Sequence, residues 1–354
     1  MSTPSLHRLS WLKRYPLLGP LFGLLFVLGL FEIMVYVRHL YSDYPTEPWA
    51  HFFPLEPRYN FLTAYTIGLT LTQTVIVATG ALGMTVIIVA GGIDLSAGSV
   101  VALASVISAA ILRSGHSSWL AALAGILSAM LVGAVNGGVI SGFRMMPFIV
   151  TLGMMGIARG LAKWVGDNQT VNYNFKSTEG VNILMNNPAQ LGSWDVPLWV
   201  PPSGVIVLLL LTVVMSFVLN RSVFGRHVFA LGSNEDTARL CGLRTRLLKV
   251  GVYVLGGLFI GLAGVFTLAR LQQGDPTVAT GLELEIIAAV VIGGASLTGG
   301  VGSVWGAVIG ALMMTALKSG AVQMGWPSYV QEIIIGLVIV LAVGVDKIRH
   351  RGGS

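Results

Sequence analysis

Long apolar runs, each bounded by short polar or basic segments, recur along the whole chain. A helix needs about 20 apolar residues to cross the hydrocarbon core of a membrane. Runs that approach this length lie near 16–37, 66–90, 98–112, 119–140, 147–165, 204–220, 250–269, 282–295, 302–318 and 329–345. The pattern predicts an all-α membrane protein in which residues 16–345 form a transmembrane domain of about ten helices.

The composition agrees with lipid as the main solvent of the chain. Hydrophobic residues make up 54% of it and charged residues only 10%, whereas a soluble globular domain carries about 25% charged residues. The 45 glycines fit the same interpretation, because small residues let transmembrane helices approach closely. We therefore exclude a soluble protein with a large core.

The distribution of lysine and arginine predicts the orientation, because these residues accumulate in cytoplasmic segments. With the N-terminus inside, 13 of the 21 basic residues fall on the inner side. They are Arg8, Lys13, Arg14, Arg144, Arg221, Arg226, Arg239, Arg244, Arg246, Lys249, Lys347, Arg349 and Arg351. The inner segments are the tail 1–15, the connection 221–248 and the basic tail 346–354, and the long outer loops are 38–60 and 166–203. We predict that both termini are cytoplasmic.

The basic start of the chain runs directly into an apolar stretch at residues 17–37. This stretch is longer than the apolar core of a signal peptide, and no small-residue cleavage pattern follows it. We therefore expect the first helix to remain in the protein as an anchor.

Two glycine-rich interruptions resemble each other. Gly91 and Gly92 precede Ile-Asp-Leu-Ser, and Gly293 and Gly294 precede Ala-Ser-Leu-Thr. Each follows an apolar run and precedes a new helix rich in small residues, and such broken helices often mark a transport pathway. The span count makes the two interruptions parallel. Either they are not a true internal repeat, or one segment is re-entrant.

Motifs for enzymatic chemistry are missing from the sequence. It contains no G-x-x-x-x-G-K-[ST] loop for nucleotide phosphates and no Gly-x-Ser-x-Gly elbow. Its histidines lie in loops or tails, at His7, His39, His51, His116, His227 and His350. A single cysteine, Cys241, excludes a disulfide framework and a four-thiolate metal site. We predict no catalytic residue, metal ion or cofactor, and no nucleic-acid partner.

Ionisable residues are scarce within the spans, which argues against a cation-coupled carrier, because that mechanism needs several carboxylates at mid-span. Asp94 is the notable one, and it could cap a helix, form a structural salt bridge or take part in transport. Uncharged polar groups and one aromatic ring complete a candidate pathway. Its members are Gln73, Asp94, Ser96, Asn136, Phe148 and Thr151.

The connection 221–248 contains a sequence typical of one short helix. Ser233 or Asn234 can cap it, Glu235 and Asp236 suit its positively polarised first turn, and Gly242 can end it. Ala238 and Cys241 would share one face. The interpretation is a helix that docks on a cytoplasmic partner, with an ordered loop as the alternative. The candidate contact residues are Asn234, Glu235, Ala238, Arg239 and Gly242.

Four segments, in this order, resemble the ribose/xylose/galactose-type permeases of ATP-binding cassette importers, within the branched-chain amino acid and sugar permease superfamily. They are Gly91–Ser99, Pro147–Gly153 with Arg159–Ala162, Gly225–Leu243 with its Asn-Glu-x-x-Ala-Arg-x-x-Gly core, and Gly281–Gly294. The resemblance covers roughly residues 61–345. The chain departs from the family at Leu282, usually Tyr, and at Glu285, usually Asp.

This resemblance implies a non-enzymatic permease in a bacterial inner membrane. It implies a second permease chain, either an identical copy or a sister protein, and a separate cytoplasmic ATPase that docks on Asn234–Gly242. It also implies a periplasmic binding protein that delivers a monosaccharide to the outer loops. The alternatives are the same architecture with another small polar solute, and an ATPase-independent secondary transporter.

Overall fold

The computed structural model describes residues 17–40, 61–173 and 203–351, which are almost entirely helical. Its elements in chain order are α1 (Leu18–Leu40), α2 (Ala64–Val89), α3 (Ala97–Arg113), α4 (Ser118–Phe143), α5 (Pro147–Val165), β1 (Val171–Asn172), α6 (Ser203–Arg221), α7 (Val223–Ser233), α8 (Glu235–Leu240), α9 (Thr245–Leu271), β2 (Gln273–Gly274), α10 (Leu282–Ile292), α11 (Val304–Gln323) and α12 (Ser328–Arg351). The tail 1–15, much of the loops 38–60 and 166–203, and residues 352–354 lie outside the described residues.

Each predicted span corresponds to one helix of the structure, and the additional helices α7 and α8 lie within 221–248. Among the described residues, 7 helices are long and apolar enough to cross a membrane. Of the other three, α3 and the apolar part of α12 are shorter, and α10 has only 11 residues. The prediction of an all-α membrane protein with about ten helices is confirmed, although α10 is too short to cross.

The centre of the bundle consists of α2 and α9, whose side chains are largely buried. Helix α9 packs along α4 and also contacts α2 and α3. Glycines bring these backbones together. A Cβ atom added at Gly257 in α9 would lie 2.5 Å from the carbonyl oxygen of Ala129 in α4, and one added at Gly261 would lie 2.8 Å from Cα of Ile126. Glycine therefore permits the close packing of helices that the composition predicted.

The two ends of the bundle differ in charge. We call one of them the basic end, because it holds the turn after α4 and the connection from α6 to α9. Its basic residues are Arg144, Arg221, Arg226, Arg239, Arg244, Arg246 and Lys249. The other, which we call the loop end, holds β1 and β2, which pair antiparallel with Val171 opposite Gly274. Positive charge is thus concentrated where the inner side was predicted.

Helix α3 begins in the middle of the bundle. The Ser108 hydroxyl of α3 donates to the Ala121 carbonyl of α4 over 2.9 Å, and a Cβ atom at Gly125 would lie 2.8 Å from the Ala104 carbonyl oxygen. This antiparallel register places Gly98 level with Leu131. Leu131 is about 12 residues, or ~18 Å at 1.5 Å per residue, from the basic end of α4.

An irregular segment, Gln272–Gly281, connects α9 to α10, and we call it the re-entrant segment because it turns back into the bundle after α9. It starts at the loop end, where a Cβ atom at Gly274 would lie 3.0 Å from Cα of Val106. It then descends about 12 Å along α3, until Ala279 and Glu283 contact the position of Gly98. Helix α10 starts there and runs to the basic end, about 16 Å away, which is half of a hydrocarbon core of ~30 Å.

The predicted span 282–295 is therefore wrong in its length: it is a half helix, and the chain returns into the bundle before it. The segment and α10 together pass from the loop end to the basic end, so the chain does not return to the side it left, and the re-entrant alternative that the sequence left open is not realised here. Both interruptions themselves lie at the basic end, where each joins a helix that runs toward that end to one that runs away. They are parallel, as the span count indicated.

Candidate functional site

The first glycine interruption, residues 90–96, is held by a buried polar network. The Asp94 Oδ1 atom accepts hydrogen bonds from the Ser96 backbone N–H over 2.8 Å and from the Ser96 hydroxyl over 2.5 Å. The Asn136 side chain of α4 donates to the same hydroxyl over 3.2 Å. The Thr151 hydroxyl of α5 and the Tyr253 hydroxyl of α9 each donate to the Ile93 carbonyl over 3.3 Å. Three helices thus fix an irregular segment.

Asp94 does not cap helix α3. The N-cap position belongs to Ser96, which makes no side-chain capping bond, and Asp94 instead closes a turn two residues before the helix. Of the three alternatives that the sequence left open for Asp94, the N-cap is therefore wrong. Because Asp94 is 3% exposed, its carboxylate is fixed inside the bundle rather than presented at its surface.

The six candidate pathway residues fall into three environments. Asp94, Ser96, Asn136 and Thr151 are buried in the network just described. Gln73 is half-buried in α2, and Phe148 is 52% exposed in the first turn of α5. The structure therefore brings four of them together as a support for the interruption. The Phe148 carbonyl accepts from the Thr151 hydroxyl over 3.4 Å, but its ring is exposed, and Gln73 lies apart from the other five.

Glycine is needed at the interruptions for two different physical reasons. Gly91 and Gly294 have φ angles of +80° and +96°, a left-handed conformation that side chains disfavour. Gly92 and Gly293 instead allow close approach. A Cβ atom at Gly92 would lie 2.7 Å from the Tyr253 hydroxyl, and one at Gly293 would lie 2.5 Å from the Gly306 carbonyl oxygen.

We expect Gly92→Val and Gly294→Val to lower transport severely, because the first creates a clash inside the network and the second forces a β-branched residue into the left-handed region. Overpacking of a close-packed site costs about 1–3 kcal/mol. Gly29→Val in α1 is the matched control, since a Cβ atom there has nothing within 4 Å. The amount of protein in the membrane and substrate uptake are measured together. Normal uptake by both variants would contradict the interpretation.

The two interruptions meet each other and the end of α7. We call this contact the glycine junction, formed by Val89–Gly91, Gly299–Gly300 and Gly232–Ser233. The Gly300 N–H donates to the Val89 carbonyl over 2.9 Å. A Cβ atom at Gly299 would lie 2.7 Å from the Gly232 carbonyl oxygen and 2.9 Å from Cα of Gly91. Three backbones therefore touch where no side chain fits between them.

Helix α8 follows the glycine junction after one residue and has the capping that the sequence predicted. The Asn234 side chain accepts from the Thr237 N–H over 2.8 Å, and Glu235 and Asp236 lie in the first turn. Gly242 ends the helix with a φ of +86°. The helix is held by ion pairs within the chain, Arg239 to Asp236 at 2.8 Å and Glu235 to Lys249 at 2.7 Å.

The faces of α8 differ from the prediction. Ala238 is buried against its own chain at 4% exposure, whereas Cys241, three residues later at the end of the helix, is exposed, so the side that they share is not uniformly buried. A partner therefore cannot receive Ala238 in a groove. The side of the helix opposite Ala238 presents Leu240, which is 86% exposed.

A cavity of about 870 Å³ opens beside α8 at the basic end. Its lining includes Gly91 and Gly92 of the first interruption, Arg144 after α4, and Glu235 and Arg239 of α8. The short helix and the first interruption therefore border the same space.

A second polar centre lies at mid-depth, between the starts of α3 and α10. The Arg159 guanidinium of α5 donates to the carbonyl oxygens of Pro276 and Val278 over 2.8 Å and 2.7 Å. Among the described residues, the Oε2 atom of Glu283 is buried there without a hydrogen-bond partner. The Glu285 carboxylate pairs with Lys318 of α11 at 2.6 Å.

Sequence reasoning missed the glycine junction, Leu240 and the role of Arg159. Leu240 carried a readable signal, because two residues on a helix turn the side chain by about 200°, so a buried Ala238 implies an outward Leu240. Gly232 and Gly299 carried no such signal, since glycine is needed there for a contact between segments that are far apart in the chain.

Comparison with known proteins agrees with this architecture. The family model described as branched-chain amino acid transport system / permease component matches residues 66–343. The chain is 38% identical over 288 residues to the ribose import permease protein RbsC of Escherichia coli (strain K12), covering 81% of this chain and 87% of the relative.

Two further relatives give the same picture. The chain is 35% identical to the L-arabinose ABC transporter permease protein AraH of Azospirillum brasilense, with 82% of each protein covered. It is 33% identical to the fructose import permease protein FrcC of Rhizobium meliloti, over 81% of this chain and 79% of the relative. The resemblance inferred from the four segments is confirmed. The chain belongs to the branched-chain amino acid transport system permease component family and is a multi-pass permease of the bacterial inner membrane.

Proposed function

We propose that this permease forms the membrane pathway of an ATP-binding cassette importer for a monosaccharide. One observation carries the substrate class: relatives that cover about four fifths of the chain are named for ribose, L-arabinose and fructose.

ATP hydrolysis belongs to a separate chain in this proposal, since the sequence has no phosphate-binding loop. Helix α8 is the docking element. It lies outside the apolar spans, is capped at its start and stopped at Gly242, and presents an exposed apolar side chain, Leu240, to water. An apolar group in that position favours burial against a partner protein.

The glycine junction couples the docking helix to the pathway. A displacement of α8 pulls on Ser233, which only Asn234 separates from the helix, and on Gly232 before it. Gly232 lies against the backbones of both interruptions. Because Gly91 and Gly299 lie in contact, the two interruptions move together. The ATPase thereby acts on α3 and α11, the helices that begin after them.

The remaining partners follow from the orientation. The basic end faces the cytoplasm, as the excess of arginine and lysine indicates, so the loop end with 38–60 and 166–203 receives the sugar from a binding protein. A second permease chain, an identical copy or a sister protein, completes the pathway.

Labelling of the native cysteine tests the orientation. Cys241 is exposed and is the single cysteine, so a membrane-impermeant maleimide should react in inside-out vesicles and not in intact spheroplasts. Thr170→Cys in a Cys241→Ser background should show the reverse, since Thr170 is exposed beside β1. Labelling of Cys241 from outside the cell would overturn the orientation.

Uptake into vesicles tests the function. Vesicles that contain the permease, its ATPase and its binding protein should accumulate one of ribose, arabinose, fructose or allose only when ATP is supplied. Accumulation of leucine instead would overturn the sugar assignment. Uptake that persists without the ATPase and follows an ion gradient would show a secondary transporter.

A further inference from the structure

The re-entrant segment Gln272–Gly281 exposes irregular backbone at the depth of the membrane centre. Thr277 and Thr280 are both exposed on the surface of the chain, although Ala279, between them, reaches the level of Gly98. Non-helical backbone at this depth is tolerated only where protein buries it or where it lines a water-filled cavity. This surface therefore does not face lipid.

The segment is held in a defined shape. Arg159 donates to the carbonyl oxygens on both sides of Thr277, at Pro276 and Val278. Asp275 Oδ1 accepts from the backbone N–H and the hydroxyl of Thr277, each over 2.7 Å. The Thr280 hydroxyl donates to the Thr277 carbonyl over 2.9 Å.

Strain in the segment agrees with a functional position. Ala279 has a φ of +60°, which is uncommon for a residue with a side chain. Such strained residues are retained where the surroundings impose them, often at binding sites. Here the hydrogen bonds from Arg159 and the turn closed by Asp275 hold Ala279 in this conformation.

The donors and acceptors left over match a polyol. Each threonine hydroxyl already donates within the segment, so its oxygen keeps acceptor capacity for another hydroxyl. The Glu283 Oε2 atom, next along the chain, is a buried acceptor without a partner among the described residues. The hydroxyl oxygens of Thr277 and Thr280 and the Oε2 atom of Glu283 can each accept a further hydrogen bond. A sugar supplies several O–H donors for them.

We propose that Thr277 and Thr280, which are exposed, and Glu283, whose Oε2 atom is buried beside them, form a sugar-binding station on the water-filled pathway, halfway across the membrane. The station rests on the proposed function, because it takes the monosaccharide as its ligand. It adds a position in the pathway where hydroxyl groups of the cargo are recognised inside the permease itself.

Cysteine accessibility tests whether the station faces water. In a Cys241→Ser background, Thr277→Cys and Thr280→Cys should react with a membrane-impermeant thiosulfonate, and ribose or another transported sugar should slow the reaction at least threefold. Leu131→Cys is the matched control, since Leu131 lies at the same depth and is 67% exposed on a regular helix. It should not react. Threonine variants as unreactive as Leu131→Cys would overturn the proposal.

Substitution of the oxygens tests sugar recognition. Thr277→Val, Thr280→Val and Glu283→Gln should each raise the sugar concentration for half-maximal uptake roughly three- to tenfold, the effect of one lost hydrogen bond. That increase should exceed any loss of maximal rate. Thr212→Val is the control, because the Thr212 hydroxyl donates to Leu208 within its own helix over 2.7 Å.

The outcomes separate the station from the function on which it rests. ATP-dependent sugar uptake by the wild-type chain, with unchanged half-maximal concentrations in all three variants, would overturn the station alone. A wild-type chain without such uptake would overturn the proposed function, while the accessibility of Thr277→Cys and Thr280→Cys would still report whether the re-entrant segment lines a water-filled path.

Discussion

Gly232→Val should abolish ATP-driven uptake while the ATPase remains bound. A Cβ atom at Gly232 would collide with the Val89 carbonyl oxygen and lie 2.6 Å from the Gly300 nitrogen. Both neighbours are backbone atoms that hydrogen bond to each other, so neither can swing away as a side chain would. The added group must therefore separate α7 from the interruptions, and the docking helix then loses its connection to α3 and α11.

Three measurements distinguish this loss from misfolding. The variant should be present in the membrane, should retain the ATPase during purification, and should lose sugar-stimulated ATP hydrolysis. Gly138→Val in α4 is the matched control, because a Cβ atom there has nothing within 4 Å. Gly299→Ala, on the other side of the same contact, should reproduce the defect. Full uptake by Gly232→Val would show that force does not pass through the glycine junction.

The helices were predictable because their driving force is local. A run of apolar residues such as 204–220 must be helical in lipid, where every backbone N–H and C=O needs a partner within the segment. The cap at Asn234 was likewise predictable, since the acceptor and the N–H of Thr237 lie three residues apart. Information of this kind is contained in a short window of the sequence.

The re-entrant segment was not predictable from the same signal. Residues 282–292 are as apolar as a full span, but the preceding segment lies inside the membrane, where Arg159, more than 100 residues earlier, donates to the carbonyl oxygens of Pro276 and Val278. A hydropathy pattern cannot report such a contact. The predicted span 282–295 therefore had the right position and the wrong length.

The candidate pathway stays a prediction, and the structure shows why the sequence alone could not decide it. Polar residues in apolar spans can either line a path or support the backbone, and sequence alone does not separate these roles. Asn136 and Thr151 proved to be buried supports of the first interruption. The station at Thr277 and Thr280 was missed because these threonines follow the end of α9 and looked like part of an ordinary connection.

The burial of Ala238 changes how the docking helix should be tested. Ala238→Trp would force a large ring into the contact with its own chain, so any loss of the ATPase could reflect a displaced helix. Reversing Glu235 and Arg239 would break their pairs with Lys249 and Asp236. A clean test must alter a side chain that contacts nothing within the permease.

Leu240→Glu meets that condition and should release the ATPase. Leu240 is 86% exposed at the end of α8, so its replacement disturbs no packing within the chain. Burial of a leucine side chain against a partner contributes about 1.5–3 kcal/mol, and a buried unpaired carboxylate adds a further penalty. Affinity should therefore fall by a factor of about 10–100 or more, while Leu240→Met, which keeps an apolar side chain of similar volume, should retain the partner.

The measurement is co-purification of the ATPase with each variant, together with its sugar-stimulated hydrolysis. Val223→Glu is the control for position, since Val223 is also apolar and 56% exposed but begins α7, about 15 Å of helix away from α8. It should keep the ATPase. If Leu240→Glu binds and stimulates the ATPase as the wild type does, α8 is not the docking element, and the force of ATP hydrolysis must enter the permease at another part of the basic end.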